Sequence, residues 1–343
     1  MQPSIFTSSI RSFLIGMFAT LGVGIGLIGI FAFFASAMEV SEGKMDTETY
    51  YEPKIAANSQ NVRKKLPNSS PVILKIDISG VIGTEKLCMA GLRQLLIESR
   101  EGSLKDNRVK AVLVKISTPG GTAVDSDGIY RALLAYKNQY KTPIYAYVDG
   151  GCLSGGMYIA AACDKIYATP VSIIGSIGTV SGPFFNVAQT LEKIGTEAKT
   201  LTQGEGKDPL NPFRPWKEGE AKEIEDVMHA LYKHFVAVVA NARPKLSAPK
   251  IENDLGARFF PTQEALELGL IDGQLSSEAE ALDLLAKEAE LDPENTQVVE
   301  MEQKLWFTNL FRNSSDLLRG KVTHQIELSP KIIGGPLEHF MFL

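Results

Sequence analysis

The sequence predicts an α/β fold built on a largely parallel sheet. Short runs of apolar, β-branched residues alternate along the chain with segments whose apolar residues recur at helical spacing. The runs are apolar at consecutive positions, as expected for strands that are covered on both faces. Three glycine-rich junctions follow predicted strands. Folds of this kind place their ligands at the carboxyl ends of the strands, so candidate functional residues should lie there.

The predicted strands are rich in valine and isoleucine. They are Val72–Ile78, Val109–Ile116, Pro143–Val148 and Lys165–Ala168. Helical spacing of apolar residues predicts the helices, which are Glu85–Arg100, Asp125–Tyr136, Ser154–Ala162, Gly219–Asn241, Phe259–Gly269 and Ser276–Leu291.

The N-terminal region, residues 1–38, is predicted to be a membrane anchor or a signal segment. No charged side chain occurs from Phe13 to Met38, a run of 26 residues, and roughly 20 are enough to cross a bilayer as a helix. Arg11 precedes the run and acidic residues follow it, which places the N-terminus in the cytoplasm and the rest of the chain outside. Ala35-Ser36-Ala37 has the form of a cleavage site, so a cleaved signal peptide is the alternative. Both interpretations imply export.

Three further regions follow. Residues 39–70 are polar and contain Pro53, Pro67 and the Asn68-Ser69-Ser70 run, which predicts a linker. Residues 71–292 carry all the predicted strands and helices and form the predicted main domain. Residues 293–343 form a C-terminal extension to which the sequence assigns no role.

Composition excludes several classes of function. The formal net charge is -5, and no basic stripe with interleaved aromatic residues is present, so a nucleic-acid partner is not expected. The chain has three cysteines, an odd number without CxxC spacing, which predicts neither a disulfide framework nor a zinc site. They are interpreted as small buried hydrophobic residues.

The three glycine-rich junctions are the strongest functional signal. They are Ser117–Gly121, Asp149–Gly156 and Gly175–Gly178. In a parallel sheet all three would lie at the same edge. A phosphate-binding loop would need a lysine and a hydroxyl residue directly after it, and a dinucleotide loop would need GxGxxG; neither pattern is present.

Ser154 is the candidate nucleophile of this edge. It lies where a loop turns into an apolar helix, and Gly155 and Gly156 leave room for a substrate backbone. Main-chain N–H groups at a helix start can stabilise the oxyanion of a tetrahedral intermediate. The alternative is that Ser154 only caps its helix.

A serine nucleophile needs a base, and the candidates are histidine and lysine. His324 and His339 lie in the C-terminal extension, whereas His229 and His234 are five residues apart on a predicted helix and therefore on different faces. Lys207 lies in a loop between the predicted sheet and that helix. Partial burial disfavours an ammonium charge and would let this lysine accept a proton. A solvated loop lysine is the alternative.

The junctions together resemble a known family. Ser117–Gly121, Leu153–Tyr158, Ala162–Pro170 and Gly175–Gly178, in this order, are similar to the motifs of the signal peptide peptidase A family, also called protease IV. Gly256–Phe260 and Gly269–Asp272 resemble its closing motif, and the resemblance runs from about Val72 to Asp272. It implies a Clp protease/crotonase-like fold of repeated ββα units with a largely parallel sheet, preceded by the transmembrane helix.

The resemblance also implies roles for individual residues. Ser154 would be the nucleophile and Lys207 the general base, while Ser176 would hold the base in place. The backbone N–H groups of Gly121 and Gly155 would form the oxyanion hole. No metal or organic cofactor is implied.

The implied protein is a single-pass serine endopeptidase of the cell's inner (cytoplasmic) membrane, with its catalytic domain on the extracytoplasmic side. Its substrates would be remnant signal peptides and other apolar segments. One copy of the motif set is present, as in the family's short form, whose subunits form a homo-oligomeric ring. In such rings a neighbouring subunit completes each site.

Two departures from the family pattern concern substrate preference. Ser117-Thr118-Pro119 replaces Asn-Ser-Pro, and Leu153 replaces a small residue before the nucleophile. Two other functions stay open: a crotonase-like acyl-CoA enzyme, and a catalytically dead membrane scaffold of the same fold.

Overall fold

A computed structural model describes residues 49–305 and 341–342 of the chain. Nearly all of these residues belong to one compact unit, formed by Tyr50–Gln303 with Met341 and Phe342. The predicted membrane segment, Phe13–Met38, lies outside the described residues. Within the described ranges, no helix combines the length and the apolar character needed to cross a bilayer.

A nine-stranded sheet forms the centre of the unit. Its strands are β1 (Thr49–Ile55), β2 (Val72–Ser79), β3 (Val109–Thr118), β5 (Ile144–Leu153), β6 (Lys165–Ala168), β7 (Ile173–Gly175), β8 (Phe259–Pro261), β9 (Gly273–Gln274) and β10 (Gln297–Leu305). The strand order is β1-β10-β2-β3-β5-β6-β9, and β7 joins β5 to β8. A separate pair is formed by β4 (Gly121–Thr122) and β11 (Met341–Phe342), which run antiparallel.

The central strand pairs are parallel, which confirms the predicted α/β fold with a largely parallel sheet. Parallel pairing joins β10 to β2, β2 to β3, β3 to β5, β5 to both β6 and β7, and β6 to β9. The short β8 runs antiparallel to β7. The carboxyl ends of the main strands therefore lie at one edge.

Helices connect and cover the strands. They are α1 (Met89–Glu98), α2 (Ala123–Tyr140), α3 (Gly155–Ala160), α4 (Ala188–Lys193), α5 (Lys222–Ala242), α6 (Ala248–Lys250), α7 (Thr262–Leu268) and α8 (Glu278–Glu288), with a 3₁₀ turn at Gly102–Leu104 and a π turn at Ile251–Leu255.

Both faces of the sheet are buried, as the apolar strands predicted. On β3, Val112 and Val114 point into a large core that also contains Phe235 of α5. The alternate residue Leu113 points into a smaller core on the other face, where it is joined by Leu285 of α8. This division follows from the two-residue side-chain period of a strand.

Two predicted helices are only partly right. The helix predicted from Glu85 begins instead at Met89, whose N–H donates a hydrogen bond to the Asp125 carboxylate at 2.8 Å. The helix predicted from Phe259 begins at Thr262, because Phe259–Pro261 pairs with β7 as a strand. Pairing with a strand that is distant in sequence cannot be recognised from a local sequence pattern.

The glycine-rich junction at Asp149–Leu153 is also partly strand. β5 continues through it to Leu153, because Gly151–Leu153 pairs with β7. β7 is three residues long and was not predicted. The strand β1 lies within the predicted linker, and β10 of the predicted extension pairs with β2.

One buried ion pair ties the end of α5 to the sheet. Arg243 donates to Gly269 O at 3.1 Å and to the Asp272 carboxylate at 2.8 Å, and Asp272 also accepts from the Ile166 N–H of β6. Burial alone would raise the pKa of Asp272, but the hydrogen bonds from Arg243 and Ile166 outweigh it and hold that pKa below its ordinary value.

We expect Asp272→Asn to lower the free energy of unfolding by about 3 kcal/mol at pH 7, because Arg243 would keep its buried charge without a partner. A carboxyl with a lowered pKa stabilises the fold above its ordinary pKa of about 4 and loses that effect on acidification. The difference between the two proteins in urea unfolding should therefore shrink below about pH 4. Asp283→Asn, which removes an exposed partner of Lys287, is the control and should change stability by less than about 0.5 kcal/mol. Equal effects of the two substitutions would contradict the expectation.

Candidate active site

Ser154 occupies a sharp turn between β5 and α3. Its backbone has φ 52° and ψ -114°, outside the well-populated regions for an L-residue. The turn is fixed on both sides, because the Ser154 N–H donates to Gly175 O at 2.8 Å and its carbonyl accepts from the Tyr158 N–H at 3.0 Å. Strained residues of this kind cost about 1–3 kcal/mol and cluster at functional sites, notably at strand-to-helix turns that present a nucleophile.

The Ser154 hydroxyl is buried and unpaired. The residue is 0% exposed, and its Oγ has no hydrogen-bond partner among the described residues. Its side chain does not cap α3, so the alternative interpretation of Ser154 as a helix cap is wrong. An unpaired buried hydroxyl costs about 1–3 kcal/mol and requires an explanation other than stability.

The three glycine-rich junctions meet around this turn. Thr118 pairs with Cys152 between β3 and β5, and Leu153 pairs with Gly175 between β5 and β7. Ser154 and Ser176 therefore follow paired positions on neighbouring strands. Ser176 is itself buried, has φ 55°, and donates its N–H to Arg258 O at 2.8 Å. The predicted grouping of the junctions at one edge is confirmed.

Gly121 and Gly155 each lie in a regular element, a strand and a helix, rather than in a free loop. Gly121 belongs to β4 and bridges Ile82, and a side chain at Gly121 would collide with the Ile82 carbonyl. Gly155 is the first residue of α3, where N–H groups have no partner within the helix. β11 lies along β4, with Phe342 opposite Gly121.

Thr118 fixes the first junction in a way that the sequence did not predict. Its Oγ1 donates to Gly80 O at 2.5 Å and accepts from the Gly120 N–H at 3.0 Å. The threonine at this departure from the family pattern thus holds the turn that leads to Gly121. Serine and threonine side chains often bond to nearby backbone groups in turns, so the sequence alone does not single out Thr118.

Lys207 is exposed on the loop between α4 and α5. It does not reach Ser154 within the described chain, since the Ser154 Oγ has no partner there. For the same reason, neither His229 nor His234 forms a hydrogen bond with the Ser154 Oγ. His229 and His234 are both exposed on α5, and the Nε2 of His234 lies 3.8 Å from the Asp127 carboxylate.

A surface cavity of about 280 Å³ adjoins the segment after Ser176 and was not predicted. It is lined by Ile177, Gly178, Thr179, Met228, His229, Tyr232 and Ala257. Because β7 and α5 are far apart in sequence, only the folded chain reveals this cavity. Among residues 49–305 and 341–342, no cluster of His, Cys, Asp and Glu side chains is arranged to hold a metal ion.

Comparison with known proteins gives matches to peptidases. A family model described as Peptidase family S49 matches residues 122–292. A relative from Synechocystis sp. that is named as a protease, slr0021, is 33% identical over 232 residues, which are 67% of this chain and 79% of the relative. A relative from Enterococcus faecium that carries the name signal peptide peptidase SppA is 33% identical over 229 residues, or 65% of each chain.

Similarity to solved structures is weaker. A mutant of the 1510-N membrane-bound stomatin-specific protease aligns with a TM-score of 0.43 and 16% identity, over 69% of this chain and 100% of that one.

Proposed function

The chain belongs to peptidase family S49, as its resemblance to signal peptide peptidase A predicted, and we propose that it is a serine endopeptidase in which Ser154 is the nucleophile and Lys207 the general base. The observation that carries this proposal is the Ser154 hydroxyl, which is buried, unpaired among the described residues and held at a strained turn. A fold tolerates this combination of costs where the group has a chemical task.

The proposed reaction is acyl transfer in two steps. The Ser154 Oγ attacks the carbonyl carbon of the peptide bond while its proton passes to the Lys207 Nζ. The N–H groups of Gly121 and Gly155 donate to the oxyanion that forms. When the C–N bond breaks, the departing amine takes the proton from Lys207. Water then attacks the carbonyl carbon of the acyl-enzyme and gives a proton to Lys207. When the bond between the acyl group and the Ser154 Oγ breaks, Lys207 returns this proton to Oγ, and the acid product leaves.

We infer that the base reaches the nucleophile across a subunit interface in a homo-oligomeric ring. Lys207 is exposed in the single chain, and an exposed ammonium is a poor base because water stabilises its charge. The surrounding segment also exposes large apolar side chains that a second copy could cover. They are Phe184, Phe185, Leu201, Phe213 and Trp216.

The proposed substrates are extended apolar peptides, including remnant signal peptides. β4 carries Gly121 and pairs in antiparallel orientation with the short strand β11, and an extended substrate segment that displaced β11 would make the same kind of main-chain contact. The cavity beside Ser176 offers apolar contacts from Met228 and Tyr232 to a substrate side chain. We place the enzyme in the inner membrane, anchored through residues 13–38, with the main domain of residues 71–292 outside the cytoplasm.

Two measurements on the full chain test this function. A fluorogenic apolar peptide should be hydrolysed in buffer containing a metal chelator, and Lys207→Ala should lower the rate by at least about 1,000-fold. A fluorophosphonate probe should label the protein at Ser154, as located by mass spectrometry. Turnover of an acyl-CoA thioester without peptide hydrolysis would favour a crotonase-like enzyme. Absence of both activities and of labelling would indicate a scaffold.

A further inference from the structure

Arg214 clamps the loop that carries Lys207. Its Nε donates to the Asp208 side chain at 3.2 Å, and its Nη2 donates to the Asp208 backbone carbonyl at 2.8 Å. Asp208 directly follows Lys207, so one guanidinium holds both the side chain and the main chain of the neighbouring residue. A planar fork of donors fixes geometry in a way that a single ammonium cannot.

The same guanidinium links this loop to the start of α5. Its Nη2 lies 2.8 Å from the Glu220 carboxylate, and Glu220 precedes α5 by two residues. The Arg214 and Glu220 side chains are only 25% and 10% exposed, whereas Lys207 beside them is exposed. Arg214 therefore ties the loop, by charge-assisted bonds, to the start of a helix that packs into the core.

Asn211 completes the clamp. Its Nδ2 donates to the Asp208 carboxylate at 3.2 Å and to Thr200 Oγ1 at 2.9 Å, and its Oδ1 accepts from the Phe213 N–H at 2.9 Å. The Arg214 carbonyl in turn accepts from Asn186 at 2.8 Å. These bonds reach residues on both sides of Lys207, although Lys207 itself contributes to none of them.

We propose that Arg214 is a positioning residue for the general base, acting through Asp208 to hold Lys207 where it can meet a serine nucleophile. This inference rests on the proposed function and extends it to a residue that touches neither the substrate nor Ser154. A base displaced by about 1 Å loses on the order of 100-fold in rate, so a clamp on the adjacent residue has a measurable effect.

Arg214 also balances charge around the base. Its hydrogen bonds hold the pKa of the Asp208 and Glu220 carboxyls below their ordinary values, so both are ionised. Other charged groups near this loop are Lys217, which acts on Asp208, and Glu223, whose carboxylate approaches Gly206; Glu205 is two residues from Lys207 in sequence. Without Arg214, the Asp208 carboxylate would lose its main partner and would favour a protonated Lys207.

The test compares full-length variants in peptide hydrolysis across pH. Arg214→Gln should lower kcat by about 10- to 100-fold with KM within about twofold, and should move the rise in rate to higher pH. Arg214→Lys should recover the pH profile more than the rate, because it restores charge without the fork. The double variant Arg214→Gln/Asp208→Asn should return the pH profile toward that of wild type while kcat stays low. Lys222→Gln removes a charge from an exposed pair with Asp226 and is the matched control, expected to match wild type.

Lys207→Ala, measured in the same series, separates this inference from the proposed function. If Lys207→Ala retains wild-type activity, the proposed dyad is wrong. If Lys207→Ala is inactive and Arg214→Gln behaves like Lys222→Gln, only the clamp is wrong. A loss in Arg214→Gln that comes with unfolding, or with an unchanged pH profile in every variant, would mean that Arg214 serves structure alone and would also overturn the clamp.

Discussion

Replacing Ser154 with alanine is expected to abolish peptide hydrolysis and to leave the protein at least as stable as wild type. Loss of the nucleophile should lower kcat by at least about 1,000-fold, because the oxyanion donors and the binding site alone give little turnover. Stability should not fall, since the substitution removes a buried hydroxyl that has no partner among the described residues. That hydroxyl costs about 1–3 kcal/mol in the wild type, and alanine is no worse than serine at the same positive φ.

The measurements are kcat with a fluorogenic peptide and the free energy of unfolding in urea. Circular dichroism spectra check that each variant is folded. Ser103→Ala, which changes an exposed serine outside the site, is the control and should keep both wild-type activity and wild-type stability. Activity of Ser154→Ala within about tenfold of wild type would contradict its role as nucleophile. If activity is lost together with several kcal/mol of stability, Ser154 is a structural residue.

The edge of the sheet where Ser154 lies could be predicted because each strand is a local pattern. The runs Val72–Ile78 and Val109–Ile116 are apolar at consecutive positions, and they form adjacent parallel strands in the structure. Neighbouring parallel strands have their carboxyl ends at the same edge of the sheet, so the sheet type alone fixes where these junctions lie. The sequence therefore predicts that Ser154 and Ser176 lie near each other, and they follow paired positions of β5 and β7.

Features that depend on distant pairing could not be predicted. β7 and β8 are three residues each and exist because Ile173–Gly175 and Phe259–Pro261 pair with each other. The Thr118 hydroxyl holds the first junction through hydrogen bonds to the Gly80 carbonyl and the Gly120 N–H. The charge clamp at Arg214 joins residues six apart on a loop without regular periodicity. In these cases the physical cause is a partner that the local sequence does not show.

Within the described part of a single chain, Lys207 does not contact the Ser154 hydroxyl, so one chain alone does not assemble the proposed pair of nucleophile and base. The resemblance assigns Lys207 the role of base, and the structure leaves it exposed while Ser154 has no partner among the described residues. An exposed Lys207 and a buried Ser154 can still act together if the lysine of one chain reaches the serine of another. A site shared between two chains can be distinguished by experiment from a site that one chain builds alone.

Co-expression of Ser154→Ala with Lys207→Ala is expected to restore part of the activity that each variant lacks alone. In a ring, an intact junction needs the serine of one chain and the lysine of its neighbour. With equal amounts and random order, roughly a quarter of the junctions are intact, as follows from a cyclic head-to-tail interface. Purified complexes should therefore show about a quarter of the wild-type kcat per chain, with an unchanged KM.

The control is co-expression of Ser154→Ala with the double variant Ser154→Ala/Lys207→Ala, which contains no intact serine and should stay inactive. Mass measurement of the purified complexes must show both chains in one assembly, because separate homo-oligomers would give no recovery for a trivial reason. Mixed assemblies without recovered activity would mean that each subunit builds its own site. In that case the loop of Lys207 would have to close onto Ser154 of the same chain. Recovery near a quarter instead requires the base to cross the interface, because no other arrangement pairs the one intact serine with the one intact lysine.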